Sequence, residues 1–138
     1  MKLLVPALIG AALTVAGAAY AGEKRSKDDK FIIEKVGEPK SCIIRSQIRS
    51  TDVIDDRTID FKMRNGDIYR NTLPNKCSGL RFEEAFSYRT STNRLCNVDI
   101  IRVLDSTAGR IETRSACGLG KFQEITKTKR EKVEKNES

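Results

Sequence analysis

Four cysteines, Cys42, Cys77, Cys96 and Cys117, follow an N-terminus that reads as an export signal, and together they constrain the fold more than any other feature. Lys2 is a short positive start, Leu3 to Ala19 is apolar, and Ala19-Tyr20-Ala21 is an A-x-A cleavage site ahead of Glu23, Lys24 and Arg25. A retained membrane anchor is the competing reading. Pro6, Gly10 and Gly17 interrupt the apolar run, and small residues at the cleavage positions favour removal. No cysteine lies beside that site, so a lipoprotein signal is not expected. Nothing later approaches the ~18 consecutive apolar residues of a membrane span. The expected location is therefore periplasmic or secreted.

An even number of cysteines in an oxidising compartment predicts two disulfides. The closest two in sequence, Cys77 and Cys96, are 19 positions apart, too far for the close C-x-x-C pairs of a zinc site or a thioredoxin-like motif. Three pairings are possible. The nested one, Cys42–Cys117 with Cys77–Cys96, is favoured because Cys77 and Cys96 flank the same irregular stretch.

Beyond Ala21 the apolar residues are 12 Ile and 5 Val against 5 Leu and 3 Ala. β-Branched side chains dominate, which favours strands over helices. Periodicity agrees. Cys42, Ile44, Ser46, Ile48 and Ser50 alternate with Arg45, Gln47 and Arg49, as on a strand with one wet face. After a turn at Asp55-Asp56, Ile59, Phe61 and Met63 alternate with Asp60, Lys62 and Arg64. Asn65-Gly66 then signals a hairpin into Ile68–Leu73. A three-residue loop with Gly66 left-handed, pairing Met63 with Tyr69 and Phe61 with Asn71, is the expected register. Pro74 ends that strand.

Leu80, Ala85 and Phe86 suit a short helical turn, and Phe86 to Tyr88 a brief strand. Val98 to Leu104 is apolar on both faces and reads as central in a sheet. Thr107-Ala108-Gly109 is a turn, and Ile111 to Cys117 alternates again. The fold class is mainly β: a small antiparallel β-barrel or compact sandwich of about five to six strands, stapled by two disulfides. Residues 1–21 form the signal, 22–40 a charged segment with one apolar cluster at Phe31-Ile32-Ile33 that could add an edge strand, and 41–125 the disulfide-bonded β domain. Residues 126–138 form a charged tail with the composition of disorder or a frayed helix.

Phe61, Gly66, Tyr69-Arg70-Asn71, Leu73, Cys77 and Leu80, then Leu95-Cys96, Asp99 and Ile101, then Cys117, Leu119-Gly120 and Phe122, together resemble the bacterial envelope family named domain of unknown function 6491. The resemblance covers about residues 41 to 125. It implies a small secreted or lipid-anchored protein of a Gram-negative envelope and carries over no catalytic residues. The lipobox cysteine of some relatives is absent here, so the resemblance does not extend to anchoring.

The chemistry the residues themselves offer is sparse. With no His, the residue most used for acid–base work near neutral pH and the commonest metal ligand are both missing. No cofactor or metal is expected. Asp52, Asp55, Asp56 and Asp60 could be weighed as a cation site or carboxylate pair, but adjacent carboxylates at a turn are more often turn formers, and EF-hand spacing is lacking. Asp99, between Val98 and Ile100, is the candidate buried carboxylate, with a structural salt bridge or turn cap as its plainer role. Cys117-Gly-Leu-Gly-Lys121 lacks phosphate-loop spacing, and its glycines are better explained by a bulge or turn closing the core.

The whole chain carries a formal charge of +7. Residues 41–125 hold only 14 basic against 11 acidic residues, interleaved. Arg45 and Arg49, on one face of the expected strand, are the best candidates for a patch facing an anionic partner. Nucleic-acid readers usually add exposed aromatics, and here most aromatics belong to the core, so nucleic acid is disfavoured. An anionic envelope component or an envelope protein is the more natural partner. The leading expectation is a non-enzymatic exported binding or accessory module. The alternatives are a carboxylate-based periplasmic hydrolase and an oligomerising structural module.

Overall fold

The computed structural model describes residues 26–131. The expected signal, residues 1–21, and the end of the tail lie outside the described residues. Three antiparallel sheets enclose one core. The largest runs in the order β1 (Phe31–Lys35), β10 (Phe122–Lys129), β5 (Ile68–Thr72), β4 (Thr58–Met63), β3 (Ile48–Val53). A pair, β2 (Cys42–Ile44) with β7 (Arg94–Cys96), and a three-stranded sheet, β6 (Phe86–Tyr88), β8 (Ile100–Asp105), β9 (Glu112–Gly118), complete the fold. One short helix, α1 (Leu80–Glu83), leads into β6.

The architecture is thus mainly β and sandwich-like, with no closed barrel. It has ten strands rather than five or six, because several expected strands are broken by turns and both charged flanks contribute. Ile59, Phe61 and Met63 on β4 and Tyr69 on β5 pack against Ile43, Leu95, Ile101 and Val103 from the two smaller sheets. Phe61 sits at the centre, edge-on to Phe122 at 5.5 Å and to Phe86 at 6.2 Å between ring centroids. Such aromatic contacts add to the transfer energy of burying the rings.

Both disulfides form, but in the crossed arrangement: Cys42–Cys96 and Cys77–Cys117. The nested pairing is corrected by strand register. Cys42 and Cys96 are direct partners across β2 and β7, which the intervening fold brings together, while Cys77 is buried beside β9.

The hairpin at Asn65-Gly66 forms with Gly66 left-handed (φ 98°), but its register is two residues from the expected one. Phe61 faces Tyr69 and Ile59 faces Asn71, closed by Met63 N–H donating to Asp67 O at 2.8 Å. Arg64, Asn65 and Gly66 are then the three loop residues, a closure that still keeps Ile59, Phe61 and Tyr69 on one inner face. The expected strand from Cys42 to Ser50 is interrupted by a 3-10 turn at Arg45–Gln47, so Ile44 is left exposed.

The flanks are structural. A 3-10 turn at Lys27–Lys30, capped by Ser26, crosses the outer face of the five-stranded sheet. Lys27 reaches Asp52 on β3 at 3.1 Å, while Asp28 meets Arg70 on β5 at 2.9 Å and Lys127 on β10 at 3.5 Å. Phe31–Lys35 supplies the anticipated edge strand and pairs with Thr126–Lys129 along its length except at Lys35, which faces Ile125. The boundaries 41 and 125 are therefore too narrow. The first residues of the supposed tail are strand because β1 offers them a ladder and Asp60 offers Lys127 a counter-charge at 2.5 Å.

Gly120 closes the core as its spacing suggested. Asn71, fully buried, receives a hydrogen bond from Gly120 N–H at 2.8 Å and donates from Nδ2 to Gly120 O at 2.7 Å. A Cβ at position 120 would collide with the carbonyl oxygen of Thr72. Gly120→Ala is expected to cost about 1–3 kcal/mol of stability, read as a lowered urea midpoint with unchanged slope.

Asp105, at the end of β8, is buried and accepts hydrogen bonds from Thr107 N–H at 2.8 Å and from the Thr107 hydroxyl, and pairs with Arg114. The Thr107 hydrogen bonds first, then the Arg114 charge, hold its carboxyl below the usual range. A depressed folded value stabilises the fold above the unfolded carboxylate pKa of about 3.9, and that contribution is lost as pH falls through the folded value. Asp105→Asn should therefore be less stable than wild type at neutral pH, with the gap closing on acidification below about pH 4.

Candidate functional site

The three-stranded sheet turns Ile101 and Val103 into the core, so its other face points outward. There register sets Ser87, Arg102 and Ala116 in one row across β6, β8 and β9, with Ile100 and Gly118 in the next. Arg89, one residue beyond β6, follows on beside Ile100. Short Ser87 on β6 and Thr113 on β9 flank the longer side chains of β8. The result is a cleft of about 560 Å³ lined by Ser87, Tyr88, Arg89, Val98, Asp99, Ile100, Arg102 and Thr113.

Val98 and Asp99 reach the cleft from a tight turn. Asp99 N–H donates to Cys96 O at 3.0 Å, and Cys96 N–H donates to Asp99 Oδ2 at 2.7 Å. Leu119 N–H adds a bond to Asp99 O at 3.1 Å, and the Cys42–Cys96 disulfide fixes the base of the turn. Asp99 is consequently half-buried as a turn cap, not a fully buried carboxylate. Val98 is 81% exposed at the tip and Ile100 is 52% exposed, so the segment from Val98 is apolar toward solvent as well as core. β8 is central in its sheet, as the two-sided apolar pattern implies, while no described residue covers its outer face at Ile100.

The cleft's electrostatics are one-sided. Neither Arg89 nor Arg102 forms an ion pair or side-chain hydrogen bond among the described residues, and the one lining carboxylate, Asp99, is turned to backbone. By contrast Arg45 and Arg49 do not share a strand face. Arg45 lies in the 3-10 turn and donates to the Thr90 hydroxyl at 3.2 Å, whereas Arg49 is on β3 beside Lys62.

The remaining carboxylates are dispersed. In a shallow groove with Arg57, Lys76 and Arg81, Asp55 is a turn former accepting from Arg57 N–H at 2.7 Å, whereas Asp56 reaches across to accept from Arg81 N–H at 2.9 Å in the first turn of α1 and meets Lys76 at 3.7 Å. Asp52 pairs with Lys27. Asp60, expected on a wet face, is fully buried on the sheet face opposite Phe61, with Arg70 Nε at 2.8 Å and Lys127 at 2.5 Å. Burial by itself lowers the Arg70 pKa. The hydrogen bonds to Asp60 and Asp28 outweigh it, and the net direction is upward. Among the described residues no three His, Cys, Asp or Glu side chains are grouped to hold a metal ion.

Sequence reasoning missed Arg89 and Arg102. The available signal was the alternation of Ile101 and Val103 with Ile100 and Arg102, which marks Arg102 as outward. Its pairing with Arg89 needs the β6–β8 register. The oligomerising reading meets β9, an edge strand carrying exposed Glu112 and Arg114, charges that discourage edge-to-edge pairing. No family model, curated protein or solved structure matches the chain.

Proposed function

We propose that the chain is an exported, non-enzymatic binding module of the bacterial envelope, and that its ligand is an anionic envelope component held in the cleft of the three-stranded sheet. The observation that carries this reading is Arg89 and Arg102 lining one cleft with no acidic partner among the described residues. Two disulfides support an oxidising compartment, and no described helix is long and apolar enough to cross a membrane. The export signal and the resemblance to family 6491 point the same way. Arginine's planar fork suits phosphate or carboxylate oxygens, and a cleft restricts the water that would screen them. The hydrolase alternative is less well served, since the cleft presents one carboxylate and that one is engaged by the Cys96 amide.

Retention on immobilised polyphosphate tests the reading. Arg89→Glu with Arg102→Glu is expected to lower affinity at least about tenfold, since each charge-assisted contact is worth about 1.5–3 kcal/mol. Arg45→Glu with Arg49→Glu changes net charge equally and should elute near the wild type. Equal loss from both pairs would mean diffuse attraction to a basic protein, and the cleft would have no special role.

A further inference from the structure

We infer that the cleft takes the phosphate headgroup of a membrane lipid, with Arg89 and Arg102 on the phosphate and Val98 and Ile100 against the apolar boundary beneath it. This deepens the reading above and rests on it. Arg102 faces Ser87 on β6 and Arg89 lies two residues further on, a diagonal spacing of roughly 7–8 Å that brings both guanidinium groups within reach of one phosphate. A hydrophilic polyanion would satisfy that charge yet leave Val98 (81% exposed) and Ile100 (52% exposed) in water. An amphiphile satisfies both.

The presentation is rigid. Val98 tops a turn locked by reciprocal Cys96–Asp99 hydrogen bonds and by the Cys42–Cys96 disulfide, so little ordering is required on contact. Asp99 keeps its negative charge, but its Oδ2 is held toward the Cys96 amide, and the two arginines leave the lining net positive. Half-buried Tyr88 borders the cleft, and a phenol is suited to the zone between headgroup and acyl chain.

Co-sedimentation of the folded chain with phosphatidylcholine vesicles, with and without phosphatidylglycerol, tests the inference beside the polyphosphate column. Wild type should bind the phosphatidylglycerol vesicles and not pure phosphatidylcholine. Arg89→Gln with Arg102→Gln should weaken vesicle binding about thirtyfold, at about 1 kcal/mol for each basic residue near an anionic surface. Val98→Ser with Ile100→Ser should weaken it about tenfold while leaving polyphosphate retention unchanged. Both apolar positions are solvent-exposed, so that variant should unfold at the wild-type temperature. If wild type binds polyphosphate but no vesicle, or if the serine variant binds vesicles as well as wild type, the lipid assignment falls and the anion cleft stands. If the arginine variant binds both probes like wild type, the cleft reading falls with it.

Discussion

Asp60→Ala should cost about 3–5 kcal/mol, a large share of the stability of a domain this size. Asp60 is fully buried and accepts from Arg70 Nε and Nη2 at 2.8 and 3.0 Å, with Lys127 at 2.5 Å. Asp28 on the N-terminal turn closes the group by meeting both cations. Two positive and two negative groups balance there, and each charge is tolerated only because the others are present. Removing Asp60 leaves Arg70 and Lys127 facing each other in a poorly hydrated space, with only partly exposed Asp28 between them. Asp28→Asn should cost less, about 1 kcal/mol, because water can reach that site. Replacing Asp60, Arg70 and Lys127 together by Leu, Met and Met should recover most of the loss, since apolar side chains of similar size need no counter-charges. Urea unfolding followed by circular dichroism measures all three. A cost below 1 kcal/mol for Asp60→Ala would mean that water already reaches the group.

This charge group also marks where sequence reasoning stops. Alternation of Ile59, Phe61 and Met63 with Asp60 and Lys62 locates β4 and its inner face, but it does not reveal that Asp60 on the outer face is buried. Nothing local to β4 announces that residues 27–30, some thirty positions earlier, will lie across it. The charged composition of residues 126–138 suggests disorder for the same reason, because the partners of Lys127 lie on other elements, whereas Phe31-Ile32-Ile33 does announce the edge strand in the N-terminal segment. Asn65-Gly66, Pro74 and the Thr107–Gly109 turn were legible because turn chemistry is local. The 3-10 turn at Arg45–Gln47 was not, and it separated Arg45 from Arg49. The cleft combines both situations: outward Arg102 follows from strand period, while the hollow beside it depends on Ser87 and Thr113 being brought to it from separate strands.

Reduction is expected to abolish the cooperative fold. Each disulfide closes a long loop, with cysteines 54 and 40 positions apart, and chain entropy assigns each about 4 kcal/mol. The loops overlap, since Cys77 lies inside the first and Cys96 inside the second, so the open chain regains freedom through most of its length when both are cut. About 8 kcal/mol is comparable to the whole stability of a domain of about 100 residues. The two bonds should nonetheless differ in what they protect. Cys77→Ala with Cys117→Ala removes a link embedded in the core and should lower the unfolding temperature by more than 15 °C, at roughly 4–8 °C per kcal/mol. Cys42→Ala with Cys96→Ala loosens the β2–β7 pair and the turn bearing Val98 and Asp99, so its binding to phosphatidylglycerol vesicles should fall even at temperatures where the chain stays folded. Thermal scans with and without dithiothreitol, with thiols counted at the end, provide the measurement. A fully reduced chain melting within a few degrees of the oxidised one would show that the core of Phe61, Phe122 and Ile101 holds the sheets together unaided.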